Sequence, residues 1–173
     1  MENNRTGKHK VSDFLTKNAP PGFDTDKEVR MYITGLVLML VFSLNFFWDY
    51  YDAYDALFHW VKEEKVLLTG VVMQNFSEIL GDNLRGFYLY CIVIAVMVLQ
   101  HYWYYYQGSK SIYVMKRLKN PMEIHRRAWV IPLLGIVVTL LIAFVVMMLY
   151  FEFYMIVTPK QCIAPGQWQN IWR

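Results

Sequence analysis

The chain has 173 residues, 56% of them apolar and 17% aromatic, and its mean hydropathy is positive. Water-soluble globular domains have a different composition, so their base rates do not apply. The formal net charge of +3 is concentrated in two basic segments beside apolar runs, a pattern of membrane topology rather than nucleic-acid binding.

Near the start, Val11, Phe14 and Leu15 form a short i, i+3, i+4 apolar face that Ala19-Pro20-Pro21-Gly22 then breaks. Two readings stay open, an amphipathic helix on the inner membrane surface or a disordered basic tail. Residues 1–30 are expected to be cytoplasmic. Several acids and no small-residue cleavage site argue against a cleavable signal peptide, and the Met-Glu start and Arg173 end carry no lipidation motif.

Met31 to Trp48 is the first span, with Asn45 as its one strongly polar side chain. Beyond it, Trp48, Tyr50, Tyr51, Tyr54 and Trp60 read as an aromatic belt at a membrane boundary. Asp49, Asp52 and Asp55 recur every third position on a solvated helix face; a calcium site needs more oxygens and usually a Gly-containing loop, so no metal is expected. From Lys62 to Gly86, Val66, Leu67, Val71, Val72, Phe76, Ile79 and Leu80 have roughly helical spacing, interrupted by Gly70 and Gly81. Residues 49–86 are therefore expected to be an external, largely helical loop, too polar for a fourth span.

Phe87 to Gln107 and Ala128 to Val157 are the second and third spans. Apart from His101 and Glu152 they contain no ionisable side chain other than Tyr or Cys, and they lack the polar stripe of an aqueous helix. At 1.5 Å rise per residue each covers a hydrocarbon core of roughly 30 Å. His101 opens the cluster HYWYYYQ, which reads as an interfacial anchor within reach of water in preference to a proton carrier. Gly35 with Ser43, and Gly135 with Thr139, are candidate small-residue helix contacts. Cys91 in the second span and Cys162 in the outer tail are expected to lie too far apart in depth to bridge.

Gly108 to Arg127 connects these two spans. Ser109 to Lys119 can continue as a helix with Ile112, Met115 and Leu118 on one side, and Asn120-Pro121-Met122-Glu123 is a helix start with Asn as cap and Pro at the first position. The connection thus reads as a helix, a break and a new helix that enters the third span, where Pro132 is placed to kink the first turns.

Orientation follows from the cations. Arg5, Lys8, Lys10, Lys17, Lys27 and Arg30 precede the first span, and Lys110, Lys116, Arg117, Lys119, Arg126 and Arg127 lie in the connection. The loop between the first two spans holds only Lys62, Lys65 and Arg85 among more numerous acids. The positive-inside rule then puts the N-terminus and the connection in the cytoplasm, and residues 49–86 and the 158–173 tail outside. The expected fold is an all-α, multi-pass integral protein of the cell membrane with three transmembrane helices.

The aromatic end of the second span, Gly108-Ser109-Lys110-Ser111, the basic pair Lys116-Arg117 with Leu118, and Glu123-Ile124-His125-Arg126-Arg127 resemble the permease subunits of type 2 ABC exporters, in the small form common in Gram-positive bacteria. The likeness covers Phe87 to Arg173, including Thr158-Pro159 and Pro165-Gly166-Gln167-Trp168. It implies a connection that contacts a partner ABC-type ATPase. Gly108, Ser109, Lys110, Ser111, Lys116, Arg117 and Leu118 would form the contact, with Glu123, Arg126 and Arg127 holding its return. Two departures accompany it: Lys119 and Asn120 intervene between Arg117-Leu118 and Pro121, and the chain has three spans where a full permease has about six. A further membrane subunit or a second copy is therefore implied.

No GxxxxGK[ST] loop, HExxH, GxSxG or CxxC pattern occurs, so neither an enzyme nor a cofactor is expected and ATP hydrolysis falls to the partner. The alternative reading is a non-transporting adaptor, regulatory or immunity-type subunit that binds a peptide or another membrane protein through residues 62–86.

Overall fold

The computed structural model describes Asn18 and residues 24–61, 64–67, 70–107 and 122–170. In chain order the elements are α1 (Thr25–Ser43), α2 (Asn45–Asp55), β1 (Phe58–Val61), β2 (Glu64–Leu67), α3 (Phe76–Leu80), α4 (Arg85–Gln107), α5 (Met122–Val157), a 3-10 turn (Lys160–Cys162) and α6 (Gln167–Asn170). Three helical stretches are long and apolar enough to cross a membrane: Thr25–Asp55, Arg85–Trp103 and His125–Val157. Their outward faces suit an apolar solvent. Val41, Phe42, Leu89, Ile92, Leu99, Leu141 and Val145 each expose more than half of their surface, a cost in water that hydrocarbon removes.

Three hydroxyl groups on these helices are satisfied locally, as a medium without water favours. Thr34, Ser43 and Thr139 turn their hydroxyls back onto the carbonyls of Arg30, Leu40 and Gly135. Between α1 and α2 the ladder tightens at Leu44, where the Leu44 amide bonds Val41 and the Phe47 amide bonds Leu44, each three residues back.

The described residues of Met1–Leu36 and Leu89–Leu140 form one compact unit, and those of Val37–Tyr88 and Leu141–Arg173 a second. In the first, Gly35 sets how closely two side-by-side segments approach, and Gly135 lies at a second contact. A Cβ on Gly35 would collide with the ring of Tyr90, whose hydroxyl donates to the Tyr32 carbonyl at 2.8 Å. A Cβ on Gly135 would meet Ile94 and Tyr32 at ordinary contact distance. Both glycines, expected to be helix-contact positions, serve as such within the chain.

The second unit has an aromatic core of Phe46, Tyr50, Phe76, Tyr150 and Tyr154, with Leu57, Met73, Ile79 and Cys162. The Phe46 and Tyr150 rings stack at 4.4 Å. Buried hydroxyls pair within this core, Ser43 with Tyr150 at 2.9 Å and Tyr50 with Thr158 at 3.2 Å. The C-terminal segment holds the loop before α3: the Met73 amide bonds the Cys162 carbonyl, the Phe76 amide bonds Gln167 Oε1, and the Tyr154 hydroxyl donates to the Gln74 carbonyl. The expected aromatic belt therefore divides, since Trp48 and Tyr51 are exposed whereas Tyr50 belongs to the core.

Residues 49–86 correct the expectation of a largely helical loop and add a short hairpin to a chain that is otherwise mostly helical. After Asp55 the chain forms an antiparallel hairpin in which Phe58 pairs with Leu67 and Val61 with Glu64. Aromatic and β-branched residues in Phe58-His59-Trp60-Val61 favour extended backbone over helix. Helix returns only at α3, bounded by Gly81 at φ 38°, while Gly70 at φ 88° lies between hairpin and helix; positive φ admits Gly and disfavours a continuous helix. The helix that carries the first apolar run starts before Met31, at Thr25, which brings Glu28 into α1.

Gly35→Ala is expected to displace Tyr90 and destabilise the protein by about 1–3 kcal/mol, the usual cost of overpacking. Thermal unfolding in detergent measures this loss. In a Tyr90→Ala background the same substitution should cost much less, and an equal cost in both backgrounds would contradict the assigned contact.

Candidate functional site

Pro132 lies inside α5 and has no backbone N–H, so the Ala128 carbonyl, four residues earlier, lacks its helical donor. Both residues are buried, and an unpaired buried carbonyl costs about 1–3 kcal/mol. His101 of α4 supplies the missing bond, its Nδ1 lying 2.9 Å from the Ala128 oxygen. A carbonyl can only accept, so Nδ1 carries the proton.

That requirement fixes what the other ring nitrogen faces. His101 Nε2 lies 3.0 Å from Glu28 Oε1 on α1, with the two side chains only 1% and 2% exposed. With Nδ1 protonated, Nε2 of a neutral ring offers a lone pair, and a carboxylate oxygen offers another. The close contact therefore needs one more proton, on Nε2 as an imidazolium or on Glu28 as a carboxylic acid. Glu28 Oε1 also accepts from the Tyr32 hydroxyl at 2.5 Å. Its second oxygen, Oε2, is buried and has no hydrogen bond among the described residues.

Beside Glu28 is a cavity of about 240 Å³ lined by Asp24, Lys27, Glu28, Met31, Met97 and Gln100. Lys27 hydrogen-bonds Asp24 through its side chain and its backbone N–H, and these bonds hold the exposed Asp24 carboxyl below the usual carboxylate range. A larger groove in the second unit, about 470 Å³, is walled by apolar side chains such as Val41, Leu44, Phe47 and Leu149. It lacks the charged groups of the first.

One turn along, the Tyr102 hydroxyl pairs with His125 Nδ1 at 2.6 Å and accepts from Trp129 Nε1 at 3.1 Å. His101 and Tyr102 on α4, with His125, Ala128 and Trp129 on α5, thus bind together the two ends of the connection between these helices.

Of the residues expected to contact a partner, Gly108, Ser109, Lys110, Ser111, Lys116, Arg117 and Leu118 lie outside the described residues, as do Asn120 and Pro121 of the expected helix start. Helix α5 includes Met122; Glu123 follows it in the backbone, and its side chain lies outside the description. Arg126 is exposed and Arg127 half-buried in the first turns of α5. His101 corrects the reading of a water-accessible anchor, because its ring is enclosed, with Nδ1 bonded to the Ala128 carbonyl and Nε2 in contact with Glu28. Glu28, read as part of a charged cytoplasmic segment, is the residue that sequence reasoning missed. The available signal was Pro132, which announces a free carbonyl four residues before it.

A double-mutant cycle tests this chain of bonds. Removing one partner of a buried pair costs about 3–5 kcal/mol, so His101→Ala should be strongly destabilising. Pro132→Ala restores an amide to Ala128 and should stabilise the His101→Ala protein more than the wild type, by about 1–3 kcal/mol of coupling. An equal gain in both backgrounds would show that His101 does not replace the amide. No protein-family model, curated protein or solved structure matches the chain.

Proposed function

We propose that the chain is a transmembrane subunit of an ABC-type exporter, placed in the cell membrane with its N-terminus and the 108–127 connection in the cytoplasm. The connection receives motion from a partner ATPase and passes it to the spans. Supporting this reading most directly is the bonding at the connection's two ends. His101 and Tyr102 precede it, His125 stands in its last residues and Ala128 directly follows it, and Glu28 ties His101 to the first span. A displacement of the connection would thus reach three helices through short polar contacts, those of His101 buried and that of Tyr102 with His125 exposed, instead of dissipating in side-chain rearrangement.

The sequence of the connection supports the same assignment through its Gly-Ser-Lys-Ser start and the basic pair Lys116-Arg117. Cargo passes along a path completed by a further membrane subunit or a second copy, and ATP is hydrolysed by the partner.

Affinity purification of the full chain in mild detergent should recover an ABC-type ATPase in stoichiometric amount. Lys116→Glu with Arg117→Glu should lower that recovery roughly tenfold, about 1.4 kcal/mol of coupling, without changing membrane insertion. Absence of any ATPase, or equal recovery with the charge-reversed protein, would contradict the proposal and favour a non-transporting adaptor.

A further inference from the structure

We propose that Glu28 and His101 form a proton-binding site that loads and empties through the cavity bordered by Asp24, Lys27 and Gln100. Three observations lead to this assignment. The Ala128 carbonyl commits Nδ1 to being a donor, so the 3.0 Å contact between Nε2 and Glu28 Oε1 holds together only with a shared proton. Oε1 is occupied by Tyr32 and His101, whereas Oε2 is buried without a hydrogen bond among the described residues. The cavity walled in part by Glu28 has a volume of about 240 Å³ and polar groups on its border, room for a short water chain at about 30 Å³ per molecule.

The step is a simple proton transfer. A hydronium ion in the cavity gives one proton to the pair and becomes water; the proton is accepted by a lone pair of Glu28 and is then shared with Nε2. The pair passes from carboxylate with neutral imidazole, net charge −1, to a neutral state, either carboxylate with imidazolium or carboxylic acid with imidazole. Release reverses the step and leaves two lone pairs opposed between α1 and α4. Occupancy by the proton thereby controls whether the two helices are held together at this point.

The surrounding ionisable and charged groups are few. On α1, Tyr32 bonds Glu28, and Lys27 and Arg30 lie in the adjoining turns, with Asp24 just before the helix across the cavity. On α4 they are Tyr90, through the Tyr32 carbonyl, and Tyr102 beside His101. On α5 the facing group is the Ala128 carbonyl, preceded by His125, Arg126 and Arg127. The nearby cations disfavour a second proton, which would take the pair from neutral to a net charge of +1.

The test uses the full chain alone in lipid nanodiscs, with ¹⁵N-labelled histidine rings and ¹³C-labelled glutamate carboxyls followed by NMR as pH is varied. Single Gln substitutions of His9, His59 and His125 identify their signals, and the remaining ring is His101. The Nε2 of His101 and one glutamate carboxyl should change together at one midpoint, with Nδ1 protonated throughout. Glu28→Gln should remove that carboxyl signal and change the proton affinity of His101 at least about tenfold, one pKa unit.

Separate midpoints for the ring and every glutamate would overturn the proposal, even if Glu28→Gln fails to fold, because that result comes from the wild-type chain. An unchanged His101 titration in a folded Glu28→Gln protein would overturn it as well. No ATPase or cargo enters the measurement, so the outcome is independent of the coupling role.

Discussion

A missing amide organises the first unit. Hydrocarbon offers no hydrogen bonds to a stray backbone group, and Pro132 leaves the Ala128 carbonyl without its helical donor. His101 meets that need at 2.9 Å, and doing so dictates the rest of its chemistry. The ring must present Nε2 to Glu28, Glu28 must share a proton with it, and Tyr32 is drawn to the same carboxylate. Tyr90 then bonds the Tyr32 carbonyl across the space left by Gly35. One backbone defect in α5 is thereby connected, bond by bond, to α4 and α1.

The second unit satisfies the same rule differently. Its polar groups are mostly hydroxyls and amides that pair inside an aromatic core, as with Ser43 and Tyr150, or close loops against it, as with Gln167 and the Phe76 amide. No ionisable pair is needed for those bonds, and neither of the buried hydroxyl pairs Ser43–Tyr150 and Tyr50–Thr158 requires a shared proton. This contrast makes the Glu28–His101 pair informative: burying a carboxylate and an imidazole is costly compared with packing apolar groups of similar size, whereas intramembrane ionisable groups recur where charge or protons must move.

The spans were legible because a hydropathy signal summed over some twenty residues survives almost any local detail. Gly35 and Gly135 were legible as contact positions for a similar reason, since small residues in an apolar helix have little else to do. Pro132 was visible too, but its partner was not: His101 lies 27 positions away, and sequence spacing gives no clue to which side chain reaches an orphaned carbonyl. Glu28 resembled its charged neighbours Lys27 and Arg30, and only packing distinguishes it from them. In the hairpin, Val66 and Leu67 fit a helical period as well as a strand, and pairing with Phe58 and His59 decided between the two. The contact residues from Gly108 to Leu118 rest on the sequence resemblance, with the described bonds accounting only for how the connection's ends are held.

The most direct test of this account is a through-hydrogen-bond NMR correlation between the Nδ1 of His101 and the carbonyl carbon of Ala128, using ¹⁵N-histidine and ¹³C-alanine in nanodiscs. The predicted result is a resolved correlation, with Nδ1 bearing its proton at every pH at which the protein is folded. A deprotonated Nδ1, or a folded protein in which His101 lacks this coupling while its ring titrates as a free imidazole, would contradict it.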